Sequence, residues 1–92
     1  MKILLALLLS APSLVFAHGT KVEMVEAATS TALDKFATEE SKVTVDAFNA
    51  VKSWVSGSQI KVKIYYNANA NTIDYVCEMM HHDGNEMMMC SK

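Results

Sequence analysis

Arginine is absent from this chain, proline occurs once, glycine three times and cysteine twice, and each shortage closes off a class of chemistry. Three isolated glycines, Gly19, Gly57 and Gly84, cannot build a loop that cradles phosphate. Lysine is the only fixed cation, and ten acidic residues outnumber it, so nucleic acid and anionic membranes are poor partners: binding to phosphate depends on clustered positive side chains. No apolar run after residue 17 is long enough to span a bilayer as a helix.

What is present begins with the compartment. Met1-Lys2 forms a short basic start, an apolar run follows from Ile3 to Leu9, and Val15-Phe16-Ala17 places small residues where a signal peptidase reads. This pattern predicts a signal peptide over 1–17, cleaved after Ala17, and a secreted or periplasmic product. Ser10 and Pro12 interrupt the apolar run, which leaves it too short for a membrane span. No cysteine follows the expected cut, which argues against a lipid anchor. The remaining residues, 18–92, make one small domain with seven lysines against ten acids, a balance of −3. Domains of this size commonly need a disulfide or a metal, and an exported chain with two cysteines has a candidate for the former.

Hydrophobic periodicity predicts an α+β fold. Thr20-Lys21-Val22-Glu23 matches a capping box, and Val22, Val25, Ala28, Ala32, Leu33 and Phe36 follow at helical spacing, although Thr29-Ser30-Thr31 are indifferent helix formers. Val45, Phe48, Val51, Trp54 and Val55 form a second stripe at helical spacing, with Glu39 and Glu40 before it and Gly57 where a helix commonly stops. A helix over 41–55 is expected, with Lys42-Val43-Thr44-Val45 also readable as the opening of a strand. After Gly57 the period becomes two: Ile60, Val62, Ile64 and Tyr66 alternate with Lys61, Lys63 and Tyr65, and Ile73, Tyr75, Cys77 and Met79 alternate with Asp74, Val76, Glu78 and Met80. Asn67-Ala68-Asn69-Ala70-Asn71 is a turn by composition. The expected architecture is one or two N-terminal helices packed on one face of a three-stranded antiparallel meander.

The segment from Cys77 to Cys90 holds both cysteines, five of the seven methionines and two of the three histidines. Asp83-Gly84 is a strong two-residue hairpin signal, because both central positions of such a turn need positive φ. With that turn, His82 opposes Asn85, His81 opposes Glu86, Met80 opposes Met87, Met79 opposes Met88, Glu78 opposes Met89, and Cys77 opposes Cys90. The cysteines fall on a non-hydrogen-bonded pair, where Cα atoms approach to about 4.5 Å, within reach of a disulfide. A Cys77–Cys90 disulfide is therefore expected to close the C-terminal hairpin. Pairing Ile64 with Tyr75 and Val62 with Cys77 puts Ile60, Val62, Ile64, Tyr66, Ile73, Tyr75, Cys77, Met79, Met88 and Cys90 on a core face. Lys61 then meets Glu78 and Lys63 meets Val76 on the outer face, which carries Met80, Met87, Met89 and His82 toward the tip.

Three readings of that outer face compete. Methionine is a plastic hydrophobe, so the patch reads first as packing with solvated histidines. It reads second as a copper site, because thioethers suit Cu(I) and imidazole suits either copper state: Met80, Met87, Met89 and His82 share the face, while alternation separates His81 from His82. His18, the N-terminal residue after the expected cut, offers an amine and an imidazole to one metal and in that respect resembles the histidine-brace copper proteins. The third reading is a partner surface formed by Met80, Met87, Met89 and Val76, for another protein or for a homodimer. A small secreted chain with a helix, an antiparallel meander and a hairpin disulfide resembles cystatin-like protease inhibitors in outline, which implies an inhibitor-like or structural module. The Gln-x-Val-x-Gly loop of those inhibitors is absent; Gln59-Ile60-Lys61-Val62-Lys63 stands in a strand.

Catalysis is not expected. His81 and Glu86 pair across the hairpin, yet no serine, threonine or free cysteine stands beside them as a nucleophile. Asp83-Gly84-Asn85-Glu86 lacks the alternating acids of a calcium loop.

Overall fold

A computed structural model describes residues 20–92; the expected leader and His18 lie outside the described residues. The chain runs through α1 (Lys21–Glu39), α2 (Lys42–Asp46), β1 (Phe48–Ser56), β2 (Gln59–Tyr66), β3 (Asn71–His82) and β4 (Asn85–Ser91). The strands form one antiparallel sheet in the order β1-β2-β3-β4. Helix α1 lies against one face of it and touches all four strands.

The start of α1 follows from its capping box. Glu23 N donates to Thr20 Oγ1 at 3.2 Å, and Thr20 N donates to Glu23 Oε1 at 2.8 Å, which satisfies two amides that the first turn leaves without helical partners. Ala28, Ala32 and Phe36 repeat every four residues and are buried, with Val25 and Leu33 packed beside them. Thr29 fits the helix because its hydroxyl has partners on both sides: Val25 O at 2.7 Å and Ser53 Oγ on β1 at 2.6 Å.

The helix expected over 41–55 is a correction. Only Lys42–Asp46 is helical, capped by Ser41 Oγ, which accepts from Thr44 N at 3.3 Å. From Phe48 onward the chain is a fourth strand. Its physical basis is alternation: Val51, Ser53 and Val55 pair with Ile64, Val62 and Ile60 beneath the helix, while Lys52 and Trp54 pair with Lys63 and Lys61 on the other side. Valine and tryptophan favour a pleated surface, and β1 hydrogen-bonds along β2, which no helix could do. Trp54 therefore leaves the core stripe and stands on the outer face. Gly57 is the first residue of a two-residue Gly57-Ser58 hairpin turn, not a helix stop; its φ of +63° is one that glycine adopts without penalty.

The register of β2 on β3 is also corrected. Ile64 pairs with Ile73, Val62 with Tyr75 and Ile60 with Cys77, two positions from the expected partners. The turn comprises residues 67–70, with Asn67, Ala68 and Asn69 at positive φ, and Asn71 already belongs to β3. Moving a turn centre by one residue moves every partner by two and leaves the faces unchanged. Lys61 accordingly meets Val76, and Lys63 meets Asp74.

The last hairpin agrees with its expected register at every pair from His82↔Asn85 to Cys77↔Cys90. Asp83 and Gly84 have φ of +52° and +79°, as a two-residue turn of this kind requires. The Cys77–Cys90 disulfide is formed, with the Cα atoms 4.0 Å apart. Its sulfurs lie under α1, 3.8 and 3.6 Å from Ala28 O; a disulfide carries no S–H, so these are packing contacts. The buried core is Ala28, Ala32, Phe36, Ile60, Val62, Ile64, Tyr75, Cys77 and Cys90, joined by the half-buried Tyr66, Ile73 and Met88.

Candidate functional site

The helix covers one face of the sheet and leaves the other in solvent, an arrangement antiparallel sheets tolerate. On this outer face the registers align side chains into rows across the strands. Lys52, Lys63 and Asp74 form one row; Trp54, Lys61 and Val76 form the next. Gln59, hydrogen-bonded to Glu78, and Met89, which pairs with Glu78, follow, and then Met80 beside Met87 toward the hairpin tip.

The methionines of the hairpin divide by strand parity. Met79 and Met88 point to the helix side and are half-buried, and Met88 packs against the core. Met80, Met87 and Met89 are 48, 52 and 50 % exposed, so they fill no gap in the interior. Of the other residues expected on the patch, Val76 is half-buried in the outer face. His82 pairs through its backbone with Asn85. His81 pairs with Glu86 and holds its Nδ1 3.3 Å from Glu86 Oε2.

Polar groups on the face are organised around Trp54. Lys52 Nζ stands 5.4 Å from the Trp54 ring centroid, within the range of a cation–π contact. Lys63 Nζ is 3.7 Å from Asp74 Oδ1, and Gln59 Nε2 donates to Glu78 Oε2 at 3.2 Å. Trp54, Lys61, Lys63, Asp74 and Val76 line a hollow in this half of the face. Three lysines, Lys52, Lys61 and Lys63, meet two acids there, Asp74 and Glu78. The excess of acid lies elsewhere, chiefly on the helices and their linker: Glu23, Glu26, Asp34, Glu39, Glu40 and Asp46. The sheet face is thus the less acidic side of an acidic protein.

Trp54 and Lys52 are the members of the face that helical spacing concealed. The signal for them lies in the alternation of Val51, Ser53 and Val55 with Lys52 and Trp54, and in Gly57-Ser58, a recognised hairpin dipeptide. Among the described residues, no three histidine, cysteine, aspartate or glutamate side chains gather as a metal site. No helix among the described residues is long and apolar enough to cross a membrane. Compared with known proteins, the chain matches no family model, no curated protein and no solved structure.

Proposed function

We propose that this is a small exported binding protein, without catalytic activity, that engages a polypeptide partner through the outer face of its sheet. The observation that carries the proposal is the run of exposed Trp54, Met89, Met87 and Met80 across one uncovered face, with Val76 among them. Apolar surface gathered in this way marks a contact site, whereas single exposed hydrophobes do not. Among the described residues, the other large apolar side chains that stay exposed, Val22, Val43, Phe48 and Val55, belong to the helices and to the helix side of β1. Lys52, Lys61 and Lys63 beside Trp54 favour a partner segment that joins acidic to apolar side chains, since complementary charge aids encounter and register. Export is supported by the leader-like start and by the disulfide, which persists in oxidising compartments.

The proposal is tested by selecting binders from a displayed peptide library and mapping them by amide chemical-shift perturbation. Selected peptides are expected to be rich in acidic and apolar residues, and their shifts to cluster at Lys52, Trp54, Lys61, Val76, Met87 and Met89. Trp54→Ser should abolish binding while leaving the melting temperature nearly unchanged. Shifts confined to α1, or binding indifferent to Trp54→Ser, would refute the assignment. Self-association that Met87→Glu abolishes would replace the peptide by a second copy of the chain.

A further inference from the structure

We infer that Met80, Met87 and Met89 form a thioether site for Cu(I) at the tip end of the outer face. The inference rests on the reading of that face as the binding surface and names a ligand for half of it. Met80 and Met87 are directly opposed across β3 and β4, and Met89 follows two residues along on the same side of β4. Opposed side chains on a sheet have Cβ atoms roughly 4.5–5.5 Å apart, and diagonal neighbours roughly 7–8 Å. In methionine the sulfur is the second atom beyond Cβ, on a chain with three rotatable bonds, so three sulfurs on this triangle can lean to one point above the sheet.

Packing accounts for Met79 and Met88, which lie toward the helix, and does not account for these three, each about half exposed. Strand propensity does not favour them either: exposed strand positions suit β-branched and aromatic residues, and methionine is unbranched. What distinguishes methionine from those residues is a soft sulfur donor, the ligand type that selects Cu(I) over harder cations. The Cys77–Cys90 disulfide bears on the site in two ways. It removes both thiols from competition as ligands, which leaves thioethers as the available sulfur. Together with the turn at Asp83-Gly84 it pins the hairpin at both ends, so the Met80↔Met87 register cannot slip and carry the sulfurs to the other face.

The test is an anaerobic titration of the full exported chain with Cu(I), supplied as its acetonitrile complex against a chromophoric Cu(I) chelator, with the disulfide intact. One equivalent should bind, with no comparable uptake of Zn(II). Met80→Leu, Met87→Leu and Met89→Leu should each weaken binding by about tenfold or more, since even outer-shell changes commonly cost 10–100-fold in metal affinity, and the triple variant should lose it. Leucine keeps the apolar area, so the melting temperature and peptide binding should persist in the triple variant. Binding retained by the triple variant, or lost on His18→Ala alone, overturns the site. Absence of Cu(I) binding in the intact chain also overturns it; if acidic–apolar peptides still perturb Trp54 and Val76 in that event, the partner-binding proposal stands by itself.

Discussion

Tyr75 carries its phenol into the core, fully buried, and the hydroxyl meets no hydrogen-bond partner among the described residues. Burial raises its pKa above the ordinary 10.0, opposed by the nearby positive charge of Lys92. Lys92 is itself raised, first by its hydrogen bond to Glu40. Both shifts act in one direction. Above about pH 10 the unfolded chain releases protons that the folded state retains, so stability is complete below that pH and declines as pH rises through the range. Urea unfolding is expected to show this alkaline decline, and Tyr75→Phe should reduce it, leaving the part that Lys92 contributes. At neutral pH the same substitution removes a buried polar group without a partner, and should leave stability unchanged or raise it by about 1 kcal/mol. A loss of more than about 1 kcal/mol would contradict an unpartnered hydroxyl.

At the scale of elements, the C-terminal hairpin was the most legible part of the sequence, because two independent constraints coincide. Asp83-Gly84 specifies a tight turn, and the turn places Cys77 opposite Cys90. Replacing both cysteines by alanine is expected to cost about 3 kcal/mol by loop-closure entropy, and less if the hairpin persists in the unfolded chain; equal denaturation midpoints with and without reductant would contradict this. The first hairpin was less legible. Val51, Trp54 and Val55 satisfy helical spacing and strand alternation together, and the alternation within 41–55 does not by itself outweigh the helical stripe; the choice comes from pairing with β2, contacts remote from that stretch. Gly57 carries the local consequence. With φ of +63° and no atom near its open side, Gly57→Ala meets no clash and should still cost about 1 kcal/mol through its left-handed backbone, measurable as a lowered urea midpoint.

At the scale of the whole molecule, one helix holds four strands by standing close to them. Ala28 and Ala32 are both fully buried, Ala28 lets α1 approach the disulfide, and Phe36 packs its ring 6.1 Å from Phe48 and 6.2 Å from Tyr66. Ala28→Leu should overpack this contact and cost about 1–3 kcal/mol, whereas Phe36→Ala should cost about 3–5 kcal/mol by leaving a cavity; thermal melts of the two variants check both. The division of the methionines into two packing and three exposed side chains in the hairpin also belongs to this scale, since parity separates them and only the helix decides which side is inside. The sequence alone determined the capped first helix, the closing turn, the disulfide and the core members of the last two strands, because each depends on neighbours within a few residues or on a two-residue period. The tertiary structure decided the fourth strand, the partners of β2 on β3 and the place of Trp54 beside Lys52, because strand pairing is a contract between distant segments whose terms neither segment carries by itself.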